Sequence, residues 1–206
     1  MNILKSLFFF IFPPIFTEAE LERFPKASQP QDKNAYSLFD YQNPQVKKLI
    51  RHLKNTRDPH MKKILAQKMY SFLLPTLAEY HDFHQFSEPV IIPVPITKKR
   101  KHERGFNQCD DLAKFLSRQI TGSSYDTKTI QRIEKPGARK QSLIHNRSER
   151  YANTKNSFVI SNKNTLKNQD IIIVDDLVTS GATLFALQTE IAKSKPRNII
   201  AITIAH

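Results

Sequence analysis

The chain has 206 residues, 39% of them hydrophobic and 25% charged, which fits one globular domain with a proper core and excludes a disordered chain. Its 32 Lys and Arg against 19 Asp and Glu give a net charge of +13, gathered in residues 47–57, 98–104 and 132–155, which favours anionic partners such as phosphates, phosphate esters or nucleic acid. The four glycines, at positions 105, 122, 137 and 181, are too scattered for a dinucleotide fingerprint or a Walker-type phosphate loop.

Residues 7–16 form the one strongly apolar run, LFFFIFPPIF. It is too short to cross a bilayer, Pro13-Pro14 break any helix, and no small-residue cleavage site follows, so no transmembrane span is expected. Lys5 ahead of it keeps a membrane-touching reading open. Residues 17–35 are polar and contain proline, which reads as a linker, leaving residues 36–206 as the main domain. From 43 to 57, Val46, Leu49, Ile50 and Leu53 follow a helical period with basic side chains opposite. A second helix is predicted from Pro59, carrying Ile64, Leu65, Met69, Phe72 and Leu73. His81 and His84 have ligand spacing, but no third ligand is in view, and surface histidines are the favoured reading.

Residues 90–95, VIIPVP, read as a short buried parallel strand closed by prolines. A basic turn follows over 98–104, then a helix over 106–120. On that helix the only cysteine, Cys109, shares a period with Leu112, Ala113 and Leu116, so it is expected as a buried thiol and not a nucleophile. One cysteine also excludes a disulfide framework and a cysteine-based zinc site, and fits a reducing cytoplasm. Short strands are predicted around 128–133 and over 157–160. Between them runs a long basic loop that reads as a lid. Tyr151 and Phe106 are candidate stacking platforms for bases, although core positions are the commoner use of such residues. The last segment is the clearest: a strand Ile171-Ile172-Ile173-Val174, a polar turn, a helix with Leu184, Leu187 and Ile191 on one face, and a strand over 199–204. This is a βαβ unit, and with it an α/β fold on a parallel sheet.

Ligands of open parallel sheets bind beyond the carboxyl ends of the strands. There the chain places Asp175-Asp176-Leu177-Val178-Thr179-Ser180-Gly181-Ala182-Thr183. Adjacent carboxylates at that point suit the vicinal hydroxyls of a sugar, or a hard cation such as Mg²⁺. The small and hydroxylated residues after them open a helix, whose N-terminal amides and dipole favour a phosphate. A simple capped turn accounts for one carboxylate but not for the whole string.

This stretch resembles the phosphoribosyl pyrophosphate (PRPP) signature of type I phosphoribosyltransferases. The resemblance implies that Asp175 and Asp176 hold the ribose hydroxyls and the Mg²⁺ shell, while Thr179, Ser180, Gly181, Ala182 and Thr183 cradle the 5′-phosphate. Purine-salvage members carry an Asp where this chain has Thr179, so a purine base is a less suitable acceptor. Further elements follow in order: Tyr41, Pro44 and residues 49–54 (LIRHLK); Ile92-Pro93-Val94-Pro95; Arg104-Gly105-Phe106-Asn107-Gln108; then Gln141, Arg150, Asn153 and Phe158. Together they resemble the ComF family over residues 36–206. That resemblance implies a type I phosphoribosyltransferase-like α/β fold, a parallel sheet flanked by helices with a helical N-terminal hood over residues 43–80. It also implies a role in natural transformation, with single-stranded DNA and the DNA-uptake machinery as partners, in the cytoplasm or peripherally at the inner face of the membrane. The family's usual four-cysteine zinc element has no cysteines here, so no zinc is expected and residues 1–35 read as its degenerate remnant.

Lys98, Lys99, Arg100 and Lys101 follow the VIIPVP strand and are expected on the rim that carries the acids. They compete for two roles, binding pyrophosphate or tracking a nucleic-acid backbone, and Arg139, Lys140, Arg147 and Arg150 of the lid join them. Arg104 is the candidate catalytic cation, with Gly105 beside it expected to permit close approach of a ligand. Three readings stay open: a PRPP- and Mg²⁺-binding phosphoribosyltransferase of unknown acceptor in DNA uptake, a non-catalytic single-stranded DNA-binding module on the same scaffold, and a salvage or biosynthetic phosphoribosyltransferase.

Overall fold

A computed structural model describes residues 16–28, 34–134, 151–152 and 154–206. Its centre is the apolar strand predicted at the end of the chain, β6 (Asp170–Leu177), with β7 (Asn198–Ala205) on one side and β2 (Val90–Pro93) on the other. β1 (Ala35–Phe39) and β3 (Ser124–Tyr125) complete a five-stranded parallel sheet in the order β1-β7-β6-β2-β3. Side chains alternate along β6, and both faces are covered. Ile172 and Val174 pack with Leu49, Leu65 and Leu112 on one face, Ile171 and Ile173 with Leu184, Leu187 and Ile191 on the other. That double coverage is why the strand reads as an unbroken apolar run.

Helices α2 (Pro44–Asn55), α3 (Pro59–His84) and α5 (Gln108–Ser117) supply the first layer. Each starts on a side-chain cap: Asn43, Asp58 and Asn107 accept hydrogen bonds from first-turn amides, and Pro44 and Pro59 open α2 and α3 where a missing N–H costs nothing. Helix α3 runs through Pro75, because Leu77 and Tyr80 beyond it pack on the core. The expected helical hood corresponds to α2 and α3, which lie against the sheet. Helix α6 (Ala182–Ala192) forms the opposite layer with a small antiparallel ribbon of β4 (Ile130–Arg132) and β5 (Phe158–Ile160). The two extended pieces predicted there pair with each other and stand outside the main sheet.

Two expectations change. The linker expected over 17–35 is packed in its described part: α1 (Glu18–Glu22) is closed by a Thr17–Glu20 capping box, and Phe16, Leu21 and Phe24 are buried in the core. β1, at the end of that stretch, is an edge strand held by β7. The basic turn over 98–104 is a helix, α4 (Lys98–Arg104), capped by Thr97. No helix among the described residues is long and apolar enough to cross a membrane.

Candidate functional site

The connection leaving β2 runs toward β3, and the one leaving β6 runs toward β7, so a crevice opens between these two neighbours at their carboxyl ends. It holds a cleft of about 360 Å³ lined by Asp175, Asp176 and every residue from Leu177 to Leu184. Strand β6 itself carries the acids, because its ladder with β7 continues through Asp175 to Leu177. Both carboxylates are buried, Asp175 at 8% and Asp176 at 4% exposure. The amide of Asp176 donates to Asp175 Oδ1 at 2.9 Å, and the Cys109 thiol reaches the same oxygen at 3.5 Å.

Burial, and then the Asp176 carboxylate beside it, push Asp175 well above the usual carboxylate range. Burial and the same two acids push the Cys109 thiol up, so it stays protonated and is no nucleophile, as its core position in the sequence implied. Asp176 Oδ2 is buried and accepts no hydrogen bond among the described residues. Lys54 Nζ lies 3.0 Å away, at ion-pair distance, and balances its charge. Oxygens of Asp175 and Asp176 and the Cys109 sulfur lie within 4.8 Å of one another, an arrangement able to hold a cation. The two hard carboxylate oxygens suit Mg²⁺, whereas a protonated thiol does not.

The opposite wall is basic. Residues Arg100 and Arg104, one helical turn apart on α4, line the cleft with Arg132 of β4. Arg104 donates to Gln108 Oε1 at 3.3 Å, and the Arg132 guanidinium lies 5.3 Å from the centre of the Phe158 ring. Burial and the neighbouring Arg104 weaken the proton affinity of Arg100; burial and Arg100 do the same to Arg132. Asp175 acts against this at both. Three crowded cations facing two buried acids make a site that an anionic ligand with an electropositive centre satisfies on both sides.

The cradle predicted at residues 179–183 lines the cleft as one loop. Gly181 is the N-cap of α6 with φ +76°, a conformation costly for any other residue, and having no side chain it makes no side-chain cap itself. Tyr151 hydroxyl donates to the Ser180 carbonyl at 3.1 Å, tying the loop to the segment before β5, and its ring packs on Phe185. Tyr151 is thus engaged with the loop. Phe106 is buried beneath Lys62 and Arg57, which excludes it as an open stacking platform.

Lys98, Lys99 and Lys101 are exposed and do not line this cleft; helical geometry turns them away from Arg100 and Arg104. Gly105 ends α4 in the left-handed region with open space beside it, and it does not line this cleft. Arg139, Lys140, Arg147 and Arg150, and the rest of the expected lid over 135–150, lie outside the described residues. His81 is exposed and pairs with Asp82, and the His84 ring packs on Tyr80. Sequence reasoning missed Lys54, Tyr41 and Arg132 as cleft residues. Lys54 was visible as one of several cations on the basic face of α2 and, like Tyr41, among the elements of the ComF resemblance, but neither signal placed it at the cleft.

The phosphoribosyl transferase domain family matches residues 107–206, which include both acids and the phosphate-cradle candidates but neither Lys54 nor Arg104. The chain is 35% identical over 118 residues to competence protein ComFC of Bacillus subtilis, covering 56% of this chain and 43% of that protein. It is 32% identical over 164 residues to DNA utilization protein YhgH of Salmonella typhimurium, covering 79% of this chain and 65% of that protein. The chain thus spans less than two thirds of the length of these relatives. Among solved structures, a hypoxanthine-guanine phosphoribosyl transferase of L. donovani is similar at 16% identity and a TM-score of 0.40, covering 69% of this chain and 67% of that one, too loose a likeness to carry an argument.

Proposed function

Because this chain belongs to the ComF family of proteins with the type I phosphoribosyltransferase fold, we propose that its cleft binds PRPP with Mg²⁺ and that the protein serves DNA uptake or utilisation. The observation that carries the reading is the pairing of two buried carboxylates with a three-arginine wall across one cleft, at the N-terminus of α6. Ribose hydroxyls supply the donors that Asp176 Oδ2 lacks, and the loop over residues 179–183 receives the 5′-phosphate. Arg100, Arg104 and Arg132 take the pyrophosphate, where their mutual repulsion is relieved. Asp175 and Asp176 would hold a Mg²⁺ ion, which would supply further positive charge against the phosphates of the ligand. In a transfer, the C1–O bond to pyrophosphate breaks with its electron pair leaving on the oxygen, and an acceptor nucleophile bonds to the electron-deficient C1. The arginine wall stabilises the charge that develops on the leaving group. Isothermal titration with PRPP and Mg²⁺ tests this; absence of binding overturns it.

A second reading, a surface for single-stranded DNA, is favoured by a separate observation: Lys98, Lys99 and Lys101 are exposed and do not line the cleft. In that case DNA binding weakens with salt and survives loss of both acids. A salvage or biosynthetic transferase is separated from both by pyrophosphate release with a panel of nucleobases and amines.

A further inference from the structure

Lys54 reaches the acids from a different layer of the fold. It sits in the last turn of α2, yet its ammonium lies 3.0 Å from Asp176 Oδ2, with the lysine side chain 28% and the aspartate side chain 6% exposed. The other cations along that helix, Lys47, Lys48 and Arg51, make no ion pair in the cleft; Lys47 and Lys48 lie over the Tyr41 and Phe16 rings. The contact is an ion pair to one carboxylate oxygen, made by a lysine side chain that is 28% exposed.

We propose that Lys54 is a resident counter-cation of the acid pair that makes the binding of a divalent metal conditional on a phosphorylated ligand. This rests on the reading of the cleft as a PRPP site and adds a rule for its occupation. With Lys54 in place, part of the charge that would attract a cation is already neutralised, and the ammonium occupies a position beside the buried Asp176 Oδ2. A divalent ion arriving alone displaces Lys54 and leaves a partly buried ammonium without a partner, a cost that offsets its own attraction to the acids. An ion arriving with a phosphorylated sugar brings the replacement partner, because a phosphate oxygen takes up the released ammonium. Metal and ligand are therefore positively linked, each tightening the other by the same factor. Lys54 acts here as a positioning residue, since it works on the reacting groups through Asp176.

Mn²⁺ binding to the full chain, followed by electron paramagnetic resonance of the free ion, tests this with and without PRPP. The variants are Lys54→Met, Lys54→Gln, Lys54→Arg and Asp176→Asn, with thermal melts to show that each is folded. The expected result is weak Mn²⁺ binding by the wild type, tightened on the order of tenfold by PRPP. Lys54→Met and Lys54→Gln bind Mn²⁺ more tightly than wild type without PRPP, by a similar factor, and PRPP then adds little. Lys54→Arg keeps the charge and follows the wild type, and Asp176→Asn loses the metal in either state. Metal binding that is unchanged or weaker in both neutral variants, or no binding in any protein, overturns the proposal. Tighter Mn²⁺ binding in the neutral variants with no effect of PRPP on any protein would uphold the counter-cation while removing PRPP as the ligand.

Discussion

Asp175 carries a charge that the fold resists and a ligand would welcome. Its folded pKa is raised by burial and by Asp176, so the native state keeps a proton that the unfolded chain releases near a pH of about 4. In the window above that value and below the raised folded one, the unfolded state binds fewer protons, and the stability contributed by this group falls as pH rises. Asp175→Asn has no proton to lose. Its melting temperature in the absence of ligand should gain on the wild type as the pH is taken from about 4 to about 7, and a constant gap across that range would contradict the assignment. Loss of PRPP binding in the same variant, measured by titration, is the functional counterpart. Gly181 marks the other side of the site. At φ +76° with only Tyr151 Oη 3.5 Å from an added Cβ, its substitution meets backbone strain and not a clash. Gly181→Ala should cost about 1–2 kcal/mol in denaturant melts.

A single short helix divides the basic segment after β2 between two tasks. Thr97 starts α4 and Gly105 ends it; between them Arg100 and Arg104 fall on the cleft face while Lys98, Lys99 and Lys101 face solvent. The five cations, uniform in the sequence, should separate in experiment. Neutralising Arg100 and Arg104 is expected to weaken PRPP binding at least tenfold, in line with loss of charge-assisted hydrogen bonds, each about 1.5–3 kcal/mol. Neutralising the three lysines should leave PRPP binding within about twofold and lower the salt slope of single-stranded DNA binding by up to about 3. Equal effects of both sets on both ligands would show that the helix is not divided in this way. Helix α3 makes a related point about elements: Pro75 marks a stop by local rules, but the apolar contacts of Leu77 and Tyr80 carry the helix on to His84.

The molecule as a whole is arranged around β6, whose residues serve three different surroundings. Ile172 and Val174 belong to the layer of α2, α3 and α5; Ile171 and Ile173 to that of α6 and the ribbon; Asp175 and Asp176 to the cleft. Ile173 is fully buried, and Ile173→Ala should cost about 2–5 kcal/mol by denaturant unfolding. A value near zero would mean that the second layer is not packed on the sheet. Because the same strand holds the core and delivers the acids, core damage here is expected to reach ligand binding as well, by shifting the carboxylates relative to Lys54 and the arginines.

Much of this was legible in the residues. The apolar run of β6, the acids at its end and the small-residue loop into α6 are contiguous in sequence, so local pattern alone placed the parallel strand, the helix and the core of the site. Glycine scarcity did more than exclude two nucleotide folds, since the positive φ at Gly105 and Gly181 fixes where α4 ends and α6 begins. β1 was not assigned and the two ribbon strands were assigned without their pairing, because an edge strand and a two-stranded ribbon take their partners from far along the chain. The partners of the acids were legible only in part: Arg104 and the cations after β2 were expected on the acids' rim, whereas Lys54, Cys109 and Arg132 were not placed beside them. Lys54 comes from α2, Cys109 from α5, Arg100 and Arg104 from α4, and Arg132 from β4. Electrostatic pairing is set by distance in space and by burial, and only the packing of both layers on the sheet brings these groups from far along the chain to within reach of two carboxylates.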